Sequence, residues 1–322
     1  MKAYVYGANG AEITDVAKPA PKAAQVLVRV RACGLNRADL GMTKGQAHGS
    51  AGGVGTVLGI EWAGEIAELG PDVKGIKVGD KVMGSGAAAF AEYTLADHGR
   101  LFRAPSNMNF EEAATLPVAL ATMHNAVVTN GALQLGQAVL VQGASSGVGL
   151  MAMQIAKLKG ARIVIGSSTD AMRRGRLKEF GADLAVDSSD PGWVDQVLKA
   201  TDGEGVDLIV DQVSGKVASQ NLKATKIKGR IVNVGRLGGT HADFNFDLHA
   251  ARRIQYIGVT FRTRSIEEIR EIFDEVRKDI WPAVESRKLQ LPIDRVFMFD
   301  DIGAAFEHME ANKHLGKIVV TL

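Results

Sequence analysis

Residues 138–149 read Ala138-Val139-Leu140-Val141-Gln142-Gly143-Ala144-Ser145-Ser146-Gly147-Val148-Gly149. The first part is an apolar run of strand length, and the rest is a turn of small residues. The segment that follows, 150–159, carries Leu150, Met153, Ile155 and Leu158 at helical spacing. A strand, a glycine turn and a helix in that order aim backbone N–H groups and the positive end of a helix dipole at an anion. Gly143, Ala144, Ser145, Ser146, Gly147, Val148 and Gly149 are therefore read as the cradle of a dinucleotide pyrophosphate. Their spacing departs from strict G-x-G-x-x-G, so the flanking elements carry the reading. The plain alternative is a tight strand–helix connection.

The same rhythm runs on. Arg162-Ile163-Val164-Ile165-Gly166, Asp207-Leu208-Ile209-Val210-Asp211, Arg230-Ile231-Val232-Asn233-Val234-Gly235 and Gln255-Tyr256-Ile257-Gly258-Val259-Thr260 each read as a further strand. Apolar strands alternating with helices predict an α/β fold of the Rossmann type, a doubly wound parallel sheet.

Ahead of this region the texture differs. Gln25-Val26-Leu27-Val28-Arg29-Val30-Arg31-Ala32 alternates polar and apolar side chains. Segments 61–69 and 81–83 are further strands, bounded by Gly70-Pro71 and Gly79-Asp80. An antiparallel, barrel-like domain is expected there. Ser265-Ile266-Glu267-Glu268 is a capping box opening an amphipathic helix through Ile269, Phe273, Val276 and Ile280, which Trp281-Pro282 interrupts. The closing Lys317-Ile318-Val319-Val320-Thr321-Leu322 is strand-like. Periodicity leaves open which domain it joins.

Composition bounds the partners. At roughly 150 residues per domain, 322 residues suggest two domains. With 38 basic against 36 acidic residues, a strongly basic nucleic-acid binder is excluded. A 46% hydrophobic, 23% charged chain is not a disordered one. The single cysteine, Cys33, excludes a disulfide framework and a cysteine-rich zinc lobe, and points to a reducing cytoplasm. The apolar stretch 113–128 is broken by Pro117, His124 and Asn125 and is too short for a bilayer. Residues 1–7 lack the apolar run of a secretion signal. A cytoplasmic protein without membrane or nucleic-acid partners is expected.

The end of the second strand selects the dinucleotide. An NAD site places a carboxylate roughly 20 residues past the glycine loop, on the ribose hydroxyls. Here Ile165 is followed by Gly166-Ser167-Ser168-Thr169, with Arg173 and Arg174 close behind. Hydroxyls donate to a phosphate and an arginine pairs with it. Two unit charges ~4 Å apart interact by about 4 kcal/mol at an effective dielectric of 20. A third of that, after screening, is still about tenfold in affinity. NADPH is expected over NADH, with Gly166, Ser167, Ser168 and Arg173 at its 2′-phosphate end. Asp170 is the counter-indication, and a solvated helix face is the alternative for the arginines.

Five stretches then carry a resemblance over essentially the whole chain. They are Gly34-Leu35-Asn36-Arg37-Ala38-Asp39, Gly59-Ile60-Glu61-Trp62-Ala63-Gly64, Val78-Gly79-Asp80-Lys81-Val82, Glu112-Ala113-Ala114-Thr115-Leu116-Pro117 and the segment 309–319. The sequence resembles the zinc-independent quinone oxidoreductases of the medium-chain dehydrogenase/reductase superfamily, the group containing zeta-crystallin. The first stretch and the last are most similar to the tumour-suppressor-induced quinone oxidoreductase subgroup.

The resemblance implies a split catalytic domain of GroES-like type, 1–121 with 261–322, around an NADPH-binding domain at 122–260. It also implies homodimers formed through the last Rossmann strand, around 255–260. Zinc-dependent relatives bind catalytic zinc at the positions matching Asn36 and Ile60, and neither side chain replaces a thiolate or an imidazole. No metal is therefore expected, and alcohol oxidation, which needs a Lewis acid, gives way to hydride delivery to a quinone. An enoyl or 2-alkenal reductase is the alternative, and a non-catalytic NADPH-binding sensor or structural protein is the alternative of another class.

Residue by residue, the resemblance places Thr122 near the nicotinamide, Gly235 in the loop after the fifth strand, and Asn312 approaching from the C-terminal segment. Arg173 matches a lysine used on the 2′-phosphate. Asn36 is a candidate donor to the acceptor oxygen or the nicotinamide amide; satisfying a turn is its alternative role. Gly41, Ala47 and Ser188 stand where relatives often carry tyrosine, the first two near the active-site cleft and the third near the adenosine end, which implies a wider or differently shaped acceptor pocket. His124 borders Thr122 but reads first as a packed structural histidine. His48, in the 45–55 loop, reads first as solvated.

Overall fold

The strand Gln25–Gly34 organises the first part of the molecule, because apolar residues cover most of its length and Arg29 alone points fully to solvent. A computed structural model describes residues 1–49 and 51–322. The described chain divides into two units, Met1–Ala121 with Phe261–Leu322, and Thr122–Thr260.

In the first unit, Gln25–Gly34 pairs antiparallel with Glu61–Leu69, Tyr93–Asp97 and Lys317–Thr321. The C-terminal strand thus returns to the first unit. It also pairs parallel with Ile293–Met298, which among the described residues is the one parallel ladder in an otherwise antiparallel, seven-stranded sheet. A three-stranded sheet of Gly10–Asp15, Lys2–Gly7 and Thr56–Val57 belongs to the same unit. Trp62, Phe90 and Phe306 sit in the core, with Phe306 edge-on to Phe90 at 5.8 Å. The helix Ile266–Asp279 begins as read: Ser265 Oγ accepts from Glu268 N at 3.2 Å, and Glu268 Oε2 accepts from Ser265 N at 2.8 Å. Its Phe273 stacks on Phe102 at 4.6 Å.

The second unit is a six-stranded parallel sheet in the spatial order Leu184–Val186, Ile163–Ser167, Ala138–Gln142, Val206–Asp211, Thr225–Asn233, Gln255–Gly258. Numbered along the chain this is 3-2-1-4-5-6, the doubly wound order. Strand order reverses between Ala138–Gln142 and Val206–Asp211, and ligands of such sheets bind outside the carboxyl ends of the strands at that point. The run 255–260 pairs only to Gly258, and the run 230–235 is part of a longer strand starting at Thr225. Among the described residues, no helix is long and apolar enough to cross a membrane.

Candidate functional site

At the switch point the chain leaves Gln142 through Gly143, whose φ of +71° is a left-handed conformation that suits glycine. The twelve-residue helix Gly147–Leu158 then starts with Ser146 as its cap, the Ser146 hydroxyl accepting from Gly149 N at 3.1 Å. A Cβ on Gly149 would lie 2.6 Å from Gly143 O and 2.7 Å from Ala144 Cα, so only glycine lets the loop fold this tightly over the helix end. Ala144 N donates to Ser167 O at 2.8 Å, tying the loop to the neighbouring strand. Gly166 is equally confined: a Cβ there would come 2.8 Å from Met153 Sδ and 3.1 Å from Ala144 Cβ. On the other side, a Cβ on Gly235 would lie 2.7 Å from Gln212 O.

The end of Ile163–Ser167 corrects one expectation. Ser167 is fully buried. Its hydroxyl donates to Gln142 Oε1 at 2.6 Å and accepts from Gly143 N at 3.1 Å. With both capacities used beneath the loop, it supports the loop and has nothing left to offer a phosphate. Ser168 donates to Ser145 Oγ at 3.1 Å, which joins the strand end to the loop's mouth. Asp170 caps the short helix Ala171–Gly175, accepting from Arg173 N at 2.8 Å, and that bond holds its carboxyl below the usual range. A carboxylate spent on a cap is a poor ribose ligand. Arg173 Nε lies 3.6 Å from Asp170 Oδ1, and Arg174 donates to Ser168 O at 2.8 Å and Asp187 Oδ2 at 3.0 Å. Two guanidiniums therefore stand at the strand end where an NAD site would present an acid. Ser188 is half-buried nearby in sequence.

Asn36 is corrected as well. Its amide hydrogens go to Gly34 O at 3.2 Å and Glu61 Oε2 at 2.9 Å, and its Oδ1 accepts from Lys317 Nζ at 2.9 Å. The side chain has no hydrogen left to donate to an acceptor oxygen or a nicotinamide amide. What remains is one lone pair on Oδ1. Glu61 and Lys317, which also bond each other, are buried. Glu61 Oε1 takes Val118 N at 2.6 Å. Asp39 completes this buried polar group, accepting from Asn36 N at 2.8 Å; burial pushes its carboxyl up from 3.8 to about 8. Sequence reasoning gave Glu61 and Lys317 no role. The available signal was an ammonium opening the apolar run Ile318-Val319-Val320 and a carboxylate beside Trp62-Ala63, since buried charges must pair.

The remaining residues are scattered. Thr122 is half-buried on the helix Pro117–His124, and His124 is buried, as a packed histidine should be. Asn312 is exposed and its Oδ1 accepts from the Arg37 guanidinium. His48 is half-buried rather than solvated: its backbone bridges to Ala51, and burial and then Arg262 push its imidazole down. Gly41 and Ala47 lie in the same unit, and position 50 of that loop is outside the described residues. Among the described residues no group of three or more His, Cys, Asp and Glu side chains is placed to hold a metal ion.

Comparison with known proteins places this arrangement. Residues 22–106 match the alcohol dehydrogenase GroES-like domain, and residues 147–278 match the zinc-binding dehydrogenase domain. The chain belongs to the medium-chain dehydrogenase/reductase superfamily and has its oxidoreductase fold, a GroES-like domain joined to a Rossmann-type nucleotide-binding domain. It is 31% identical over 328 residues to a phenolphthiocerol synthesis polyketide synthase type I of Mycobacterium marinum, covering 98% of this chain but only 15% of that much longer protein. It is 28% identical over 300 residues to quinone oxidoreductase-like protein 2 of Bos taurus, covering 92% of this chain and 85% of that one. Among solved structures, CurK enoyl reductase superposes with a TM-score of 0.88 at 25% identity over 99% of both chains.

Proposed function

We propose that the protein is an NADPH-dependent, zinc-independent reductase that delivers hydride to a quinone. The carrying observation is the strand end past the glycine loop, where Arg173 and Arg174 stand and the two nearby carboxylates are engaged, Asp170 on a helix cap and Asp187 with Arg174. Bound at the loop, NADPH would supply the hydride. The residues of the chain do the rest: the 143–149 backbone and the helix dipole hold the pyrophosphate, Ser168 and Arg173 meet the 2′-phosphate end, and Gly166 and Gly235 allow close approach. Thr122 and Asn312 are assigned to the nicotinamide by the family resemblance alone.

The donor set around Asn36 does not fit zinc. A carboxamide lies where the zinc-dependent relatives have a ligand, and the Lys317 ammonium already occupies both Asn36 Oδ1 and Glu61 Oε2. A quinone or activated enone spreads the incoming charge over a conjugated system, so positioning and water exclusion suffice. Cytoplasmic placement goes with this reading. So does a homodimer: Gln255–Gly258 is an edge strand with an open ladder, and Phe246, 76% exposed, lies in the same aromatic cluster as Tyr256.

Enoyl or 2-alkenal reduction is the second reading, favoured by the polyketide synthase relative and by the likeness to CurK enoyl reductase. Product analysis of the purified chain under NADPH separates the two. A hydroquinone from simple quinones, with enones untouched, is the expected result; a saturated ketone or thioester with quinones inert transfers the assignment to the second reading. Arg173→Glu is expected to raise the KM for NADPH by tenfold or more, about what losing and reversing one charge contact gives, and to leave the KM for NADH nearly unchanged. Equal effects on both would remove Arg173 from the phosphate.

A further inference from the structure

Beneath the glycine loop runs a chain of fully buried polar side chains: Ser167, Gln142, Asn221 and Asp211. Amides and hydroxyls can point their hydrogens either way along such a chain, so something must choose the direction. A carboxylate chooses it, because it accepts and never donates. Asp211 Oδ1 accepts from Val213 N and Ser214 N, both at 2.9 Å, and Oδ2 accepts from Asn221 Nδ2 at 3.0 Å. Having turned its amide hydrogens to Asp211, Asn221 presents Oδ1 to Gln142, whose Nε2 donates at 2.9 Å. Gln142 then has only Oε1 to face Ser167, and takes its hydroxyl proton at 2.6 Å. With that proton committed, Ser167 Oγ offers a lone pair to Gly143 N at 3.1 Å. Each link as far as the Ser167 proton is forced by the one before, and the committed proton holds Oγ in place to accept from Gly143 N, which can only donate.

We propose that Asp211 is a positioning residue for the glycine loop, its carboxylate fixing, through Asn221, Gln142 and Ser167, the bond that turns Gly143 N–H inward and presets the loop for the pyrophosphate. The loop's task is the one proposed above, and this inference rests on that reading. Asp211 also reaches the far side of the crevice. Its main-chain oxygen accepts from Val234 N at 2.7 Å and Gly235 N at 3.1 Å. Its neighbour Ser214, held at φ +59° and ψ −124°, donates its hydroxyl to Gly235 O at 2.6 Å. That is a conformation a residue with a Cβ keeps only under constraint. One residue thus ties both loops that flank the switch point.

The test exchanges the two ends of the first link. In Asp211→Asn the new amide donates to residue 221, the chain reverses, and Gln142 turns its amide hydrogens to Ser167, whose own proton then has no acceptor at that position; the hydroxyl turns away to place it and releases Gly143 N–H. In the double variant Asp211→Asn/Asn221→Asp the carboxylate at 221 accepts from both neighbours, and the direction toward Ser167 is kept. Amide hydrogen exchange at Gly143 in the ligand-free full-length chain is expected to speed by about tenfold in Asp211→Asn and to return to the wild-type rate in the double variant. The Kd for NADPH, read by fluorescence titration, is expected to weaken by about tenfold and recover in parallel.

Unchanged Gly143 exchange in a folded Asp211→Asn, or no rescue by the double variant, overturns the proposal. If Asp211→Asn does not fold, Ser167→Ala, which cuts only the last link, takes its place: fast Gly143 exchange supports the relay and wild-type exchange refutes it. Wild-type protein that binds no NADPH refutes the cofactor reading and, with it, the purpose assigned to the relay. NADPH binding with unaltered Gly143 exchange refutes the relay alone.

Discussion

Replacing Lys317 by methionine is expected to destabilise the first unit by about 3–5 kcal/mol, the usual cost of removing one partner from a buried ion pair. Glu61 is fully enclosed, and its two oxygens are shared among Val118 N, Asn36 Nδ2 and the Lys317 ammonium. Methionine keeps the stem's volume but leaves the carboxylate with no counter-charge and Asn36 Oδ1 without its donor. The double variant Lys317→Met/Glu61→Gln removes the orphaned charge as well and should recover most of the loss, because the penalty lies in the unpaired ion rather than in the missing bond. Urea denaturation of the three proteins measures this. A single variant as stable as the wild type, or a double variant no better than the single, would mean the pair is not desolvated as described.

The second large effect is a pH dependence set by Asp39. Burial raises its carboxyl to about 8; the bond from Asn36 N and the Lys317 charge oppose that rise, and Glu61 adds to it. The folded protein therefore keeps a proton that the unfolded chain releases near 3.8. Between those values the native state binds more protons than the unfolded one, so stability falls as pH rises through the window. The slope is at most about 1.4 kcal/mol per pH unit for one group. The contribution is complete below the lower value and gone above the upper one. Asp39→Asn cannot lose a proton there and should abolish this slope. Melting temperatures from about pH 5 to about pH 8 compare the two proteins. Parallel pH profiles would show that Asp39 is ionised across the range.

Much of this molecule is legible from its residues, and what is not has a common physical cause. The run 138–142 is bounded as read, because an apolar run of strand length ending at a glycine admits few alternatives, and Ser265 with Glu268 announces a helix start locally. The doubly wound parallel sheet follows from alternating strands and helices, whereas its 3-2-1-4-5-6 order is seen only in the structure. Asn36 and Ser167 are different. Each has the type its proposed role needs, yet the role turns on which way its hydrogens point, and that is decided by residues far along the chain. For Asn36 the deciding partner is Lys317; for Ser167 it is Asp211 acting through Asn221 and Gln142. No local window contains both. Likewise the terminal strand's membership depends on its pairing with Gln25–Gly34, which periodicity cannot report.

An equilibrium titration of the purified chain with NADPH and with NADH, each in the presence and absence of a strong chelator, bears most directly on what the protein is. NADPH should bind at least about tenfold more tightly than NADH, as one added phosphate contact at Arg173 requires, and chelation should change neither value. Preference for NADH, no binding of either nucleotide, or affinity lost on chelation and restored by zinc would contradict it.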